Sequence, residues 1–177
     1  MRRLASIVIR LRPACWHRQL VTPGGIRSNA QLEDRMLSDR EIAWLGALKL
    51  KSGASRALIH QVLQKIGGTL PADYVELIER ANGGEGFVGG RGSYLEFWPI
   101  EEIPEVYLAN DIERSAPGLL PFASDGGGNV YAFDREISPI RIVEVPLIGI
   151  SRRYAKSRAN SVGELLAIMA APGLTGP

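Results

Sequence analysis

Residues 119–134 read LLPFASDGGGNVYAFD, two runs of strand-forming residues around a turn. Phe122, Val130, Tyr131 and Phe133 belong to the residue types that fit a pleated surface. Asp125 and Asn129 tolerate turn geometry, and the glycines between them supply positive φ at no steric cost. The stretch predicts an antiparallel hairpin. With a side-chain period of two, Tyr131 and Phe133 fall on one face and Val130 and Ala132 on the other.

Two chemical readings of the same loop fail on residue type. A phosphate loop needs a lysine and a following helix, so that amides and an ammonium group converge on the anion. Here the lysine is missing, a strand follows, and Asp125 repels a phosphate. A calcium loop starting at Asp125 places Asn129 fifth and Glu136 twelfth. It also puts Gly127 and Val130 third and sixth, where an oxygen ligand and the obligatory glycine belong. The pattern therefore calls for no metal and no cofactor.

The flanking sequence supplies helices first and strands later. LSDREIAWLGALKL begins with Ser38 and Glu41 at capping-box spacing and carries Ile42, Leu45 and Leu48 at helical spacing. ASRALIHQVLQKIGG predicts a second helix, with Leu58, Val62, Leu63 and Ile66 as its stripe and Gly67 and Gly68 as its stop. His60 lies away from Leu58 and Val62. TLPADYVELIERANGG predicts a third, opened by Pro71. Its apolar face is Tyr74, Val75, Leu77, Ile78 and Ala81, and Asn82 and Gly83 are expected to end it in the left-handed region.

The glycine-rich GEGFVGGRGSYLEFWPI then reads as strands around a turn. PIEEIPEVYLANDIERS reads as one helix, IRIVEVPLIGI as a strand, SRRYAKSRAN as a basic connection, and SVGELLAIMA as a final helix with Ser161 and Glu164 at capping-box spacing. Helices and strands do not alternate strictly, so a doubly wound parallel sheet is disfavoured. The expected class is α+β, with an antiparallel or mixed sheet flanked by helices.

The chain has 177 residues, enough for one sizeable core, and a net charge of +2 that hides a division. Residues 1–30 hold six arginines and no acid. They are set apart as a basic extension, with the composition of an organellar presequence or of a disordered arm. Residues 31–54 are read as an accessory helix and linker, 55–171 as the domain and 172–177 as a tail. Between residues 82 and 136, ten acids face three arginines, a balance of −7. No apolar run is long enough to span a bilayer, and a cytoplasmic location is expected.

The single cysteine, Cys15, excludes an internal disulfide and a cysteine-rich zinc site. Residues 61–177 contain neither histidine nor cysteine. Nucleophilic catalysis ordinarily needs a base beside its nucleophile, so no enzyme is expected. The acid-rich glycine loops argue against nucleic-acid binding by the domain.

LPADYVELIERANGGEG, FWPIEEI, LLPFASDGGGNVYAFD, VEVPLIGI and NSVGELLAIM, in this order, resemble the SUKH superfamily, of the Smi/Knr type. The resemblance runs from about residue 55 to 170 and leaves residues 1–50 unexplained. It implies an α+β binding module rather than an enzyme. Bacterial members are proposed to be immunity proteins that neutralise toxin domains, and fungal relatives take part in cell-wall regulation. Its motif positions are Leu70, Pro71, Asp73, Tyr74, Asn82, Gly83, Gly84, Trp98, Pro99, Asp125, Gly126 and Gly127. No catalytic residue comes with it.

Two functional expectations follow. The first is an immunity protein that binds a toxin, such as a basic nuclease, because charge complementarity speeds encounter and selects the partner. Asn82, Gly83, Gly84, Glu85, Glu96, Trp98, Glu101, Glu102, Glu105, Asp125, Gly126 and Gly127 are its candidate contacts. The alternative is a regulatory protein that binds a small ligand or peptide in a groove lined by Tyr94, Phe97 and Trp98.

Overall fold

The computed structural model describes residues 36–171. The basic extension over 1–30 and the tail over 172–177 lie outside the described residues. Six helices and seven strands follow in the order α1 (Asp39–Leu45), β1 (Lys49–Leu50), α2 (Arg56–Ile66), α3 (Ala72–Arg80), β2 (Gly84–Phe87), β3 (Tyr94–Phe97), α4 (Ile103–Ala109), α5 (Ile112–Ser115), β4 (Leu119–Ser124), β5 (Asn129–Asp134), β6 (Arg141–Pro146), β7 (Lys156–Ala159) and α6 (Val162–Ala170).

All seven strands form one sheet in chain order, and every neighbouring pair is antiparallel. The fold is thus α+β with an antiparallel sheet. The opening stretch is its central hairpin, β4–β5, with Ser124 opposite Val130. Pro121 sits inside β4 where a central strand ordinarily excludes proline. The register shifts between Pro121 and Ala123, and such a bulge leaves a place for a residue without an amide hydrogen.

The two faces of β5 separate two cores. Tyr131 and Phe133 join the larger one, with Tyr74, Leu77 and Ile78 of α3, Ile59 and Val62 of α2, and Leu165 and Leu166 of α6. Val130 and Ala132 join a smaller one with Ile112, Val143, Val145 and Ile150. At the centre of the larger core Tyr74 meets Phe122 and Phe133 edge-on, at ring-centroid distances of 5.1 and 5.0 Å, while those two rings stack at 4.3 Å. Full burial of such a side chain contributes roughly 1.5–3 kcal/mol.

Local details depart from expectation where tertiary contacts intervene. The buried face of α2 is built on Ile59 and Val62, so the stripe is rotated from the one read off the sequence. The α3 helix ends with Ala81 in extended backbone (φ −149°), and Gly83 alone takes positive φ, at 101°. The single helix expected over 99–115 is broken at Asp111, which adopts a left-handed conformation (φ 48°) between α4 and α5. Two short strands were not anticipated, β1 in the run after α1 and β7 in the basic connection. The segment read as an accessory helix packs into the domain: Leu37, Leu45 and Leu48 are buried in the larger core.

Ser38 and Glu41 cap α1 reciprocally. The Ser38 amide donates to Glu41 Oε2 at 2.7 Å, and the Glu41 amide to Ser38 Oγ at 3.4 Å. At α6 only half of that device forms. Ser161 Oγ accepts from the Glu164 amide at 3.1 Å, but the Glu164 carboxylate reaches past Ser161 to the amide of Asn160, at 2.8 Å.

Candidate interaction surface

Strand alternation decides what β2 and β3 offer to solvent. Leu95 and Phe97 point into the larger core. Glu85 and Phe87 therefore share the opposite face with Tyr94 and Glu96. Glu85 stands directly across from Glu96, and Phe87 across from Tyr94. Tyr94 donates its hydroxyl to Glu85 Oε2 at 2.7 Å, and its ring meets Phe87 edge-on at 5.6 Å. That hydrogen bond to Glu85, with some desolvation and the nearby carboxylates, pushes the Tyr94 hydroxyl above its ordinary pKa. Phe87 is 56% exposed.

Like charges placed directly opposite in a sheet repel. Lys49, on β1, is the register partner of Glu85 on its other side. A shallow depression of about 430 Å³ opens here between Lys49, Glu85, Phe87 and Tyr94.

The glycine loop packs onto this face. Gly126 has φ 71°, and a Cβ placed there would lie 2.9 Å from Cδ1 of Tyr94. The Asp125 carboxylate is occupied inside the turn. Its Oδ1 accepts from the amides of Gly127 at 2.7 Å and Asn129 at 3.0 Å, and its Oδ2 from the Asn129 side chain at 2.8 Å. Desolvation pushes the Asp125 carboxyl up, but these hydrogen bonds outweigh it and hold the pKa below the ordinary 3.8. The loop thus closes the β4–β5 hairpin and presents Gly126, Gly127 and Gly128 as exposed backbone.

Asn82, Gly83 and Gly84 are buried and hold the acidic residues in place. Asn82 Oδ1 accepts from the Ile100 amide at 2.8 Å, and its Nδ2 donates to Glu101 Oε2 at 2.6 Å. At Gly84 a Cβ would fall 2.9 Å from a Leu50 methyl and 3.1 Å from the Phe97 ring, so any larger residue would push on Leu50 and on the core ring of Phe97. Glu101, Glu102 and Glu105 are exposed on the turn and helix that follow β3. Trp98 is half-buried against the smaller core. The expected aromatic groove does not form: Phe97 is in the larger core, Trp98 packs against the smaller one, and Tyr94 faces out beside Phe87.

The structure therefore gathers Glu85, Glu96, Tyr94 and Gly126, and ties Glu101 to Asn82. It adds Phe87 and Lys49, which the sequence reading passed over. The alternation of Glu85 with Phe87 inside GEGF was the available signal, masked by the surrounding glycines.

A family model described as SMI1 / KNR4 family (SUKH-1) matches residues 53–168. The chain belongs to this family. No curated protein matches the chain. In this SUKH-1 domain the motif residues have identifiable work. Asp73 accepts from the amides of Val162 at 2.6 Å and Gly163 at 3.2 Å, and so caps α6 from α3. Tyr74 fills the aromatic centre, Asn82 and the two glycines after it seat the β2–β3 pair, and Asp125 with Gly126 shapes the hairpin turn. No helix of the described residues is long and apolar enough to cross a membrane.

Proposed function

We propose that this SUKH-1 domain is a non-catalytic interaction module, an immunity protein that neutralises a cognate toxin by direct binding in the cytoplasm. Its contact surface is the outer face of β2 and β3. The observation that carries this reading is the pairing of Glu85 with Glu96 beside the exposed Phe87 ring.

Like charges opposed across a sheet repel, and Lys49 and the Tyr94 hydroxyl offset part of this at Glu85. A basic side chain of a partner relieves what remains, and an exposed aromatic face adds cation–π attraction. The surrounding −7 balance over residues 82–136 steers a basic partner toward the same face. Glu101, Glu102 and Glu105 extend the acidic rim, and the bare backbone at Gly126 and Gly127 admits close approach.

The test is co-purification of the full chain with the product of the neighbouring gene, joined to a growth assay of that gene with and without this one. A stable complex and rescue from toxicity support the immunity role. A folded chain that neither binds the product nor rescues growth contradicts it.

A further inference from the structure

We propose that the outer edge of β7 accepts an extended acidic segment of a partner protein as an added strand. This surface is separate from the acidic face of β2 and β3. The β7 strand closes the opposite end of the sheet and, among the described residues, pairs with β6 alone. Lys156, Ser157 and Arg158 are exposed along it.

A free strand edge carries amides and carbonyls in alternation, and a peptide backbone matches both. A phosphate backbone offers acceptors only and leaves the carbonyls without donors. The class of partner is therefore a protein segment.

The charge on this edge decides which segment. Glu144 of β6 faces Lys156 in register and is engaged by Arg158 at 2.8 Å. Arg152 is held by Asp134, also at 2.8 Å. Arg153 and Lys156 are left as the basic groups that border the start of the strand. Edge strands bearing charge of one sign resist pairing with copies of themselves. The same charge favours a strand of opposite sign, so this edge discriminates against a second copy of the chain and for an acidic one.

A seat for a side chain lies at the strand's beginning. Tyr154 is 46% exposed, with the Arg153 guanidinium 4.5 Å from its ring centroid. A depression of about 250 Å³ opens between Asn129, Glu144, Pro146, Arg153, Tyr154 and Lys156. The Glu144 carboxylate on its wall is engaged by Arg158, which leaves Arg153 and Lys156 to meet an incoming carboxylate.

The experiment uses the full chain and a fluorescein-labelled peptide alternating glutamate and threonine, with a lysine–threonine peptide and a polyuridylate oligonucleotide as controls. Anisotropy is read alongside backbone amide exchange. The expected result is saturable binding of the acidic peptide alone, slowed exchange at residues 156–158, and binding weakened roughly tenfold in the R153E/K156E double variant. Both substituted side chains are exposed, so the variant keeps its fold, and its unchanged melting temperature checks that. Absence of binding, binding without slowed exchange at 156–158, or equal binding of either control overturns the proposal.

Discussion

The carboxylate of Asp73 in α3 lies 2.6 Å from the amide of Val162, eighty-nine residues later in the chain. One acidic side chain thereby fastens the last helix of the domain to its third. The first amides of a helix have no partner within it, and here a buried side chain from another element supplies one. Replacing Asp73 by alanine leaves the Val162 and Gly163 amides unsatisfied where water does not reach. We predict a loss of about 2–3 kcal/mol in urea unfolding. A loss under about 0.5 kcal/mol, the range of ordinary surface substitutions, contradicts the role.

Tyr74 makes the opposite case. Its ring is central to the larger core, but its hydroxyl is buried with no hydrogen-bond partner among the described residues. Burial also pushes its pKa upward. An unsatisfied buried hydroxyl costs stability. Tyr74→Phe keeps the ring contacts with Phe122 and Phe133 and removes that cost. The expected outcome is a domain equally stable or more stable by about 1 kcal/mol. A clear drop in unfolding midpoint for Y74F would reveal a partner for the hydroxyl and refute this view.

Asp125 gives a pH-dependent signature. Its folded pKa lies below the ordinary 3.8 because turn hydrogen bonds favour the ionised form over the opposing effect of burial. A carboxyl depressed in this way contributes stability above its unfolded pKa and loses it as pH falls through the folded one. The stability gap between the native chain and Asp125→Asn should therefore be full at neutral pH and narrow below about pH 4. Thermal unfolding of both proteins across that range is the check. A gap that stays constant or widens on acidification would count against the turn geometry described.

Much of this fold could be read from local chemistry. The α3 helix showed its period, its proline start and its apolar face in one stretch, and β5 showed its alternation. Ser38 and Glu41 cap α1 as their spacing predicted, because the capping box is a contact within four residues. What escaped was set by distant partners. The β1 strand has two residues and β7 has four, too few for a period to appear. Asn82 looked like a helix stop, yet its side chain bridges Ile100 and Glu101, a use that depends on where β3 delivers the next turn. The left-handed Asp111 between α4 and α5 had no glycine to announce it.

The candidate surface was legible in part for the same reason. Acid-rich composition pointed to Glu85 and Glu96, but only strand register shows that they face each other. Phe87 became visible only when alternation across β2 and β3 had been fixed by the buried Leu95 and Phe97. Asp125 suits a turn by residue type, and its carboxylate, counted among the candidate contacts, is engaged inside that turn.

The central claim is that the acidic face of β2 and β3 binds a basic protein partner. Its most direct test is a calorimetric titration of the neighbouring gene product into the native chain and into the E85K/E96K/E102K variant. These three side chains lie at or near the surface; Glu102 stands at the start of α4 without a side-chain capping bond, and Glu85 bonds only the exposed-face Tyr94 hydroxyl. The account predicts tight binding by the native chain, affinity lowered at least roughly tenfold in the variant, and melting temperatures that agree. Equal affinity for two equally folded proteins would contradict it.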